Sequence, residues 1–201
     1  IGSSAFSGCY NLRTVINNSI LNLTKGSTSN GYVACYAYRI LTGEPVDGFY
    51  FEEKDAAYCL TGYVGNEESI VLPNSYKGYS YSIGDYAFTG CIIKTMVIGA
   101  GVLSIGSYQS TPVKTIWLTN TPPSGYSQLA GEINYVANEL YGSMSNKKVY
   151  KYLSSMFEVD GITYVPVNPS ERTCDVIDCN YDSTLTDIKI SETVSYKNIS
   201  M

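Results

Sequence analysis

Ile1-Gly2-Ser3-Ser4-Ala5-Phe6-Ser7-Gly8-Cys9 returns as Ile83-Gly84-Asp85-Tyr86-Ala87-Phe88-Thr89-Gly90-Cys91, and each copy runs into an apolar segment. The shared phrase is Ile-Gly-x-x-Ala-Phe-x-Gly-Cys. Self-similarity of this kind marks a repeat protein, because a repeat unit cannot bury its apolar face alone and must stack on a neighbour. The copies continue as Leu12-Arg13-Thr14-Val15-Ile16 and as Ile93-Lys94-Thr95-Met96-Val97-Ile98. A third, decayed copy opens with Ile105-Gly106, lacks the Ala-Phe and Cys positions, and still delivers Val113-Lys114-Thr115-Ile116-Trp117-Leu118.

Side chains alternate faces along a strand, so these segments predict a buried and an exposed set. Leu12, Val15, Ile93, Met96, Ile98, Val113, Ile116 and Leu118 are the expected core. Phe6 and Phe88 are expected to fill the layer between successive turns of one continuous interior, each beside a small alanine. Aligning Lys94 with Lys114, which lie 20 residues apart, leaves two outward columns. Thr14, Thr95 and Thr115 form one, and Ile16, Val97 and Trp117 form the other. Exposed apolar columns often mark a binding surface. The patch around Trp117 is therefore the candidate partner contact, unless an insertion folds over the sheet and buries it.

A longer period lies over the short one. Phe51-Glu52 followed by Tyr58 recurs as Phe157-Glu158 followed by Tyr164, and Ser75-Tyr76-Lys77 recurs as Ser195-Tyr196-Lys197. The chain divides into a repeat (1–18), an insertion with strand, short helix and β-meander (19–68), repeats (69–120), a second insertion with strand and short helix (121–156), and a hairpin leading to the next repeat block (157–201). One continuous repeat body is expected. Both ends read as cuts through a longer array. Within the first insertion Ser19 to Thr24 alternates like a strand, and Val33, Ala37 and Ile40 share a face of a predicted helix over 30–41. Tyr50 to Glu52, Ala57 to Val64 and Ser69 to Leu72 read as strands with a turn at Gly65-Asn66. In the second insertion Ile133 to Val136 reads as a strand and Asn138 to Met144 as a short helix. Asp160-Gly161 between apolar runs is a strong hairpin signal.

Charged residues make up 15% of the chain and the net charge is −5. That balance argues against a phosphate-backbone partner, which needs clustered Lys and Arg. The abundance of Gly, Ser, Asn, Thr and Tyr suits a β-rich extracellular surface. No run of about 18 apolar residues is present to span a membrane. Histidine is absent, removing the commonest general base and metal ligand together. Glu52, Glu53, Asp55, Glu67, Glu68, Glu158 and Asp160 could supply a carboxylate pair for glycoside hydrolysis, yet most sit in hairpin segments where solvated carboxylates are ordinary. Asp175, Asp178, Asp182 and Asp187 do not have the alternate-position spacing of an EF-hand loop. Gly99-Ala100-Gly101 with Gly106 lacks the spacing of a dinucleotide loop. No enzyme activity, cofactor or metal site is expected.

Of the six cysteines, Cys9 and Cys91 hold equivalent repeat positions and are expected to be small buried side chains. Cys174 and Cys179 on one straight strand would face opposite ways roughly 16 Å apart, beyond the reach of a disulfide at about 7 Å; only a turn there could join them. Among the 20 tyrosines, Tyr76, Tyr79, Tyr81 and Tyr86 raise a carbohydrate-stacking alternative to ordinary structural packing.

The Ile-Gly-x-x-Ala-Phe-x-Gly-Cys phrase with its following strand resembles the BspA-like leucine-rich repeats of surface and secreted proteins of oral and gut bacteria. The 20- to 22-residue step falls in the leucine-rich-repeat range of about 20–29. The Thr121-Pro122-Pro123-Ser124 exit and the Phe157 to Tyr164 hairpin resemble segments of such proteins from the Bacteroides group. The specific motif covers roughly 1–17 and 83–118. The resemblance implies a β-rich, right-handed leucine-rich-repeat solenoid, here with inserted β-hairpins and short helices. It also implies a secreted or cell-surface location and non-catalytic adhesion to host matrix or other cell-surface proteins. A structural spacer presenting another domain and a glycan-binding accessory domain are the alternatives.

Overall fold

The computed structural model describes residues 1–54, 56–119, 121–136, 148–151, 157–159, 162–168, 173–179, 193, 195–196 and 199–200. The chain is β-rich with almost no helix, and its stacked parallel strands form a β-solenoid of about five turns.

Both motif copies fold into the same chain of tight turns. Ala5 N–H donates to Gly2 C=O and Ala87 to Gly84; Ser7 to Ser4 and Thr89 to Tyr86; Cys9 to Phe6 and Cys91 to Phe88. Gly8 and Gly90 close these turns at φ +82° and +81°, a left-handed conformation that favours glycine. Beyond the two full copies, a Cβ on Gly106, the glycine of the decayed copy, would lie 2.6 Å from Asp85 N, and one on Gly125 would lie 2.2 Å from Ile105 O. Successive coils touch backbone to backbone there.

The chain then alternates between two sheets. Strands β4 (Ala57–Tyr63), β6 (Tyr81–Ile83) and β8 (Val102–Ile105) stack in parallel in one sheet, which β3 (Phe49–Lys54) extends antiparallel to β4. Strands β5 (Ser69–Val71), β7 (Thr95–Ile98), β9 (Lys114–Trp117), β10 (Ile133–Val136) and β11 (Lys148–Lys151) form a five-stranded parallel sheet in that order. Leu60, Tyr81, Ile83 and Val102 from the first sheet meet Ile70, Leu72, Met96, Ile98, Trp117 and Val136 from the second, with Phe88 filling the turn. Burying each of these large apolar side chains stabilises by about 1.5–3 kcal/mol.

The expected strands at 50–52, 57–64, 69–72 and 133–136 are observed, and Ile93, Met96, Ile98 and Val15 are buried as expected. The expected hairpin is also present. Strand β12 (Phe157–Val159) pairs antiparallel with β13 (Ile162–Asn168), and β14 (Thr173–Cys179) adds to it. Cys174 pairs in register with Pro166 and Cys179 with Ile162, at opposite ends of β14. Strands β15 (Ser195–Tyr196) and β16 (Ile199–Ser200) form a separate pair. The expected helix at Asn138 to Met144 lies outside the described residues, as do Asp55, Asp160, Asp182 and Asp187.

Four expectations are corrected. First, Lys114 pairs with Thr95, not Lys94, so the third repeat is shifted by one residue. A one-residue slip flips every side chain to the other face. Thr115 and Trp117 therefore point inward beside Met96 and Ile98, and Ile116 joins Val97 on the outer face. Val113 is exposed and Leu118 half-buried. The shift seats the largest apolar side chain of the segment in the core and leaves Lys94 outside, ion-paired to Glu68 at 2.6 Å.

Second, residues 1–41 build a separate two-coil stack, with β1 (Thr14–Ile16) parallel to β2 (Arg39–Leu41). Its cluster is Val15, Val33, Ala34 and Ala37, against which Phe6 packs half-buried. Phe88 belongs to the main cluster, so the two phenylalanines do not lie in one interior. Cys9, on the outer of the two coils, is exposed. Third, the helix expected over 30–41 is a single 3-10 turn at Asn30–Tyr32, because Asn30, Gly31 and Tyr32 all have left-handed φ, which no α-helix accommodates. Fourth, Ser19 to Thr24 makes no strand. The Asn17 side chain accepts from Ser19 N and donates to Leu21 O, the local bonding that competes with a ladder.

Candidate binding site

The expected binding residues are not brought to one surface. Thr14 and Ile16 lie on the small sheet, where Thr14 Oγ1 accepts from Arg39 Nε at 2.9 Å and Ile16 is 48% exposed. Thr95 is half-buried between Ser69 and Lys114. Val97 is buried on the outer face beside Ile116 and Tyr135, while Val71, next in that column, is 45% exposed. Thr115 and Trp117 are fully buried in a polar cluster inside the core. Thr115 Oγ1 donates to Leu129 O at 2.6 Å and accepts from Gly131 N at 3.1 Å. Trp117 Nε1 donates to Asn134 Oδ1 at 3.2 Å, and Asn134 Nδ2 to Gly131 O at 2.7 Å.

What reaches the surface in repeat is tyrosine. Tyr86 and Tyr108 occupy the same position, 22 residues apart, after successive Ile-Gly pairs. Both take left-handed backbone, at φ +62° and +61°, which for a bulky residue costs roughly 1–2 kcal/mol. Their rings stack at 4.7 Å and 9°. Tyr38, arriving from the end of the two-coil stack, lies on the other face of Tyr86 at 5.0 Å and 22°. The Arg13 guanidinium covers Tyr38 at 4.6 Å from the ring centroid. A column Arg13, Tyr38, Tyr86, Tyr108 thus spans both halves of the described core and ends on an open ring, since Tyr108 is 63% exposed. Burial first, then the neighbouring Tyr108 and Tyr38 phenols and the Asp85 carboxylate, push the Tyr86 hydroxyl above the ordinary phenol range.

Beside this column the two-coil stack meets the main solenoid in an open cleft of about 430 Å³, lined among others by Thr24, Lys25, Tyr38, Glu52, Thr61 and Asp85. Its floor includes Arg39, which is buried: Nε donates to Thr14 Oγ1, Nη1 to the carbonyls of Tyr86, at 3.0 Å, and Ala87, and Nη2 lies 4.0 Å from Cys91 Sγ. Asp85 Oδ1 accepts from Ser107 N at 2.7 Å. Thr42 Oγ1 donates to Glu52 Oε1 at 3.5 Å.

The tyrosines singled out for sugar stacking separate into three environments. Tyr81 is core, its hydroxyl donating to Pro73 O at 2.8 Å. Tyr76 stacks flat on Phe51 at 4.1 Å under the Lys77 ammonium, and Tyr79 is exposed beside Tyr58. Tyr86 alone joins the column. Tyr38, Tyr108, Lys25 and Arg39 were not anticipated. The 22-residue recurrence of Tyr86 and Tyr108 was available as a signal; the approach of Tyr38 was not.

Three of the candidate carboxylates are already engaged within the protein. Glu67 accepts from the Tyr63 hydroxyl, which holds its carboxyl below the usual range, and Glu68 is paired with Lys94. Asp175 and Asp178 lie on β14. Among the described residues no three His, Cys, Asp or Glu side chains come together as metal ligands, and no helix is long and apolar enough to cross a membrane. Comparison with family models, characterised proteins and solved structures gives no match to this chain.

Proposed function

We propose that this chain is a non-catalytic recognition module of an exported bacterial surface protein, built as a BspA-like leucine-rich-repeat solenoid, that binds a host matrix or cell-surface protein. The observation that supports the reading is the tyrosine column. Two bulky residues held in left-handed backbone at equivalent positions of successive coils cost stability, and strain of this kind concentrates at functional sites. The column also places an aromatic ring, open on one face, at the surface. Tyrosine is enriched at protein interfaces because it combines large apolar area with a polar tip.

The test separates this role from a structural one. Tyr108→Gly removes the ring but relieves the left-handed backbone, so stacking worth about 0.5–1.5 kcal/mol is offset by roughly 1–2 kcal/mol of strain, and the unfolding midpoint should stay near that of wild type. Capture by immobilised extracellular-matrix proteins should fall by about tenfold or more, as expected for a central interface tyrosine. Undiminished capture would refute the column as the contact.

A further inference from the structure

The cleft beside the column carries a chemistry of its own, and we infer that it binds a neutral oligosaccharide, an inference resting on the reading of this chain as a binding module. Three observations select the ligand class. The exposed charged groups on its walls are of both signs, Lys25 against Glu52 and Asp85, so no single charge on a ligand is matched. The one guanidinium in its lining is a poor anion site, because Arg39 is buried, donates through Nε and Nη1 to Thr14, Tyr86 and Ala87, and has its Nη2 4.0 Å from Cys91 Sγ. The remaining lining combines hydroxyls at Thr24 and Thr61 with apolar surface at Leu23 and Ile40 and the edge of the Tyr38 ring, whose faces are covered by Arg13 and Tyr86.

A purely apolar ligand would leave the Lys25 ammonium and the second oxygens of Glu52 and Asp85 unmatched on its side of the cleft. A phosphate or sulfate would face two carboxylates. A sugar satisfies both requirements, since its ring hydroxyls donate to carboxylates and accept from ammonium and hydroxyl groups, while its C–H faces lie against the aliphatic side chains of Leu23 and Ile40. The volume of about 430 Å³ lies within the roughly 300–1,000 Å³ of small-ligand sites, which favour junctions between packed units. Asp85 and Glu52 each spend one oxygen on a partner within the protein, Ser107 N and Thr42 Oγ1. The 2.7 Å bond from Ser107 N orients Asp85 before a ligand arrives.

The experiment is calorimetric titration of the whole chain with neutral tetrasaccharides of β-linked glucose, xylose, mannose and N-acetylglucosamine, with a sulfated tetrasaccharide as comparison. At least one neutral probe should bind at millimolar concentration or below. Glu52→Ala and Thr61→Val should each weaken it, the former by about tenfold, as for loss of a hydrogen bond to a charged group. Both positions are at least partly exposed, and the emission of Trp117, the only tryptophan, reports that each variant is folded. Tyr108→Gly should leave sugar binding unchanged. Absence of binding by every neutral probe, preference for the sulfated probe, or affinity indifferent to Glu52→Ala would overturn the inference. Matrix-protein capture lost in Tyr108→Gly would survive any of those results, so the two readings fail separately.

Discussion

Asn134 is a polar residue with no exposed surface in the middle of a parallel sheet, and its two amide groups are both used. The carbonyl oxygen accepts from Trp117 Nε1 and the amino group donates to Gly131 O. It follows Met96 and Thr115 along one inward column, so the core turns from apolar to hydrogen-bonded within three coils. A buried polar group stabilises only when fully paired. Asn134→Ala withdraws the acceptor of the indole N–H and the donor of the Gly131 carbonyl, and should lower stability by about 1–3 kcal/mol or somewhat more for the space left behind. Chemical denaturation followed by Trp117 emission measures this directly. An unchanged midpoint would show that the cluster is dispensable. At this scale the sequence was readable wherever one face was plainly apolar, as at Val15, Ile93, Met96 and Ile98. It was not readable at Lys114-Thr115-Ile116-Trp117-Leu118. Ile116 and Trp117 are both buried, on opposite faces, and a strand covered on both sides carries no alternation to fix its frame.

Between elements, the contacts that lock one coil to the next come from the repeat that had lost its motif. Gln109 stands where Ala87 stands one coil earlier. Its Oε1 accepts from Phe88 N at 3.0 Å, and its Nε2 donates to Gly84 O at 2.8 Å and Gly106 O at 3.0 Å. Ser110 Oγ accepts from Gly90 N at 2.9 Å, and Thr89 Oγ1 donates to Tyr108 O. A side chain thus supplies the partners that the turn backbone would otherwise lack. Gln109→Ala should cost about 1–3 kcal/mol through the unpaired Phe88 amide. Hydrogen exchange should show the Phe88 amide losing protection while Met96 and Val97 in β7 keep theirs; equal loss at all three would mean that the coil unfolds as a unit. Gln109 shows how a degenerate repeat can be misread, since departure from the motif marked a different solution to the same stacking problem. The reverse happened at Asn30–Tyr32. Gly31-Tyr32-Val33-Ala34 repeats the Gly-x-x-Ala spacing of Gly2 to Ala5 and Gly84 to Ala87, and a Cβ on Gly31 would lie 2.3 Å from Gly2 O. That coil was legible as a repeat, but the 3.6-residue spacing of Val33, Ala37 and Ile40 reads equally as a helix face.

For the whole molecule, the decisive contact is the one that joins the two stacks. The fully buried cluster of the N-terminal coils is Val15, Val33, Ala34 and Ala37, with Phe6, Leu12, Leu23 and Ile40 only partly buried against it, so docking to the main solenoid adds burial that this stack lacks by itself. Docking runs through Leu41, which packs over Gly62, through Tyr38 on Tyr86, and through Arg39 on the carbonyls of Tyr86 and Ala87. None of these pairings follows a repeat period, which is why the cleft and the third ring of the column could not be read from the motif that gave the coils. The Ala87 carbonyl also accepts from Tyr63 N at 3.2 Å, so Arg39 adds a second, charged donor to a group already built into the solenoid. Arg39→Met preserves most of the buried aliphatic length and removes only the donors. Hydrogen bonds from a charged group contribute about 1.5–3 kcal/mol, and local opening draws on local stability alone. Exchange at Ile40 and Leu41 should therefore quicken by roughly a hundredfold, while β7 and β9 stay protected. Neutral-sugar affinity should fall with it, because the cleft has one wall on each stack. If β7 and β9 lose protection in step with β2, the two clusters unfold as one body and Arg39 acts as an ordinary core residue. If no amide changes, the junction is held by Leu41 and the tyrosine stack without it.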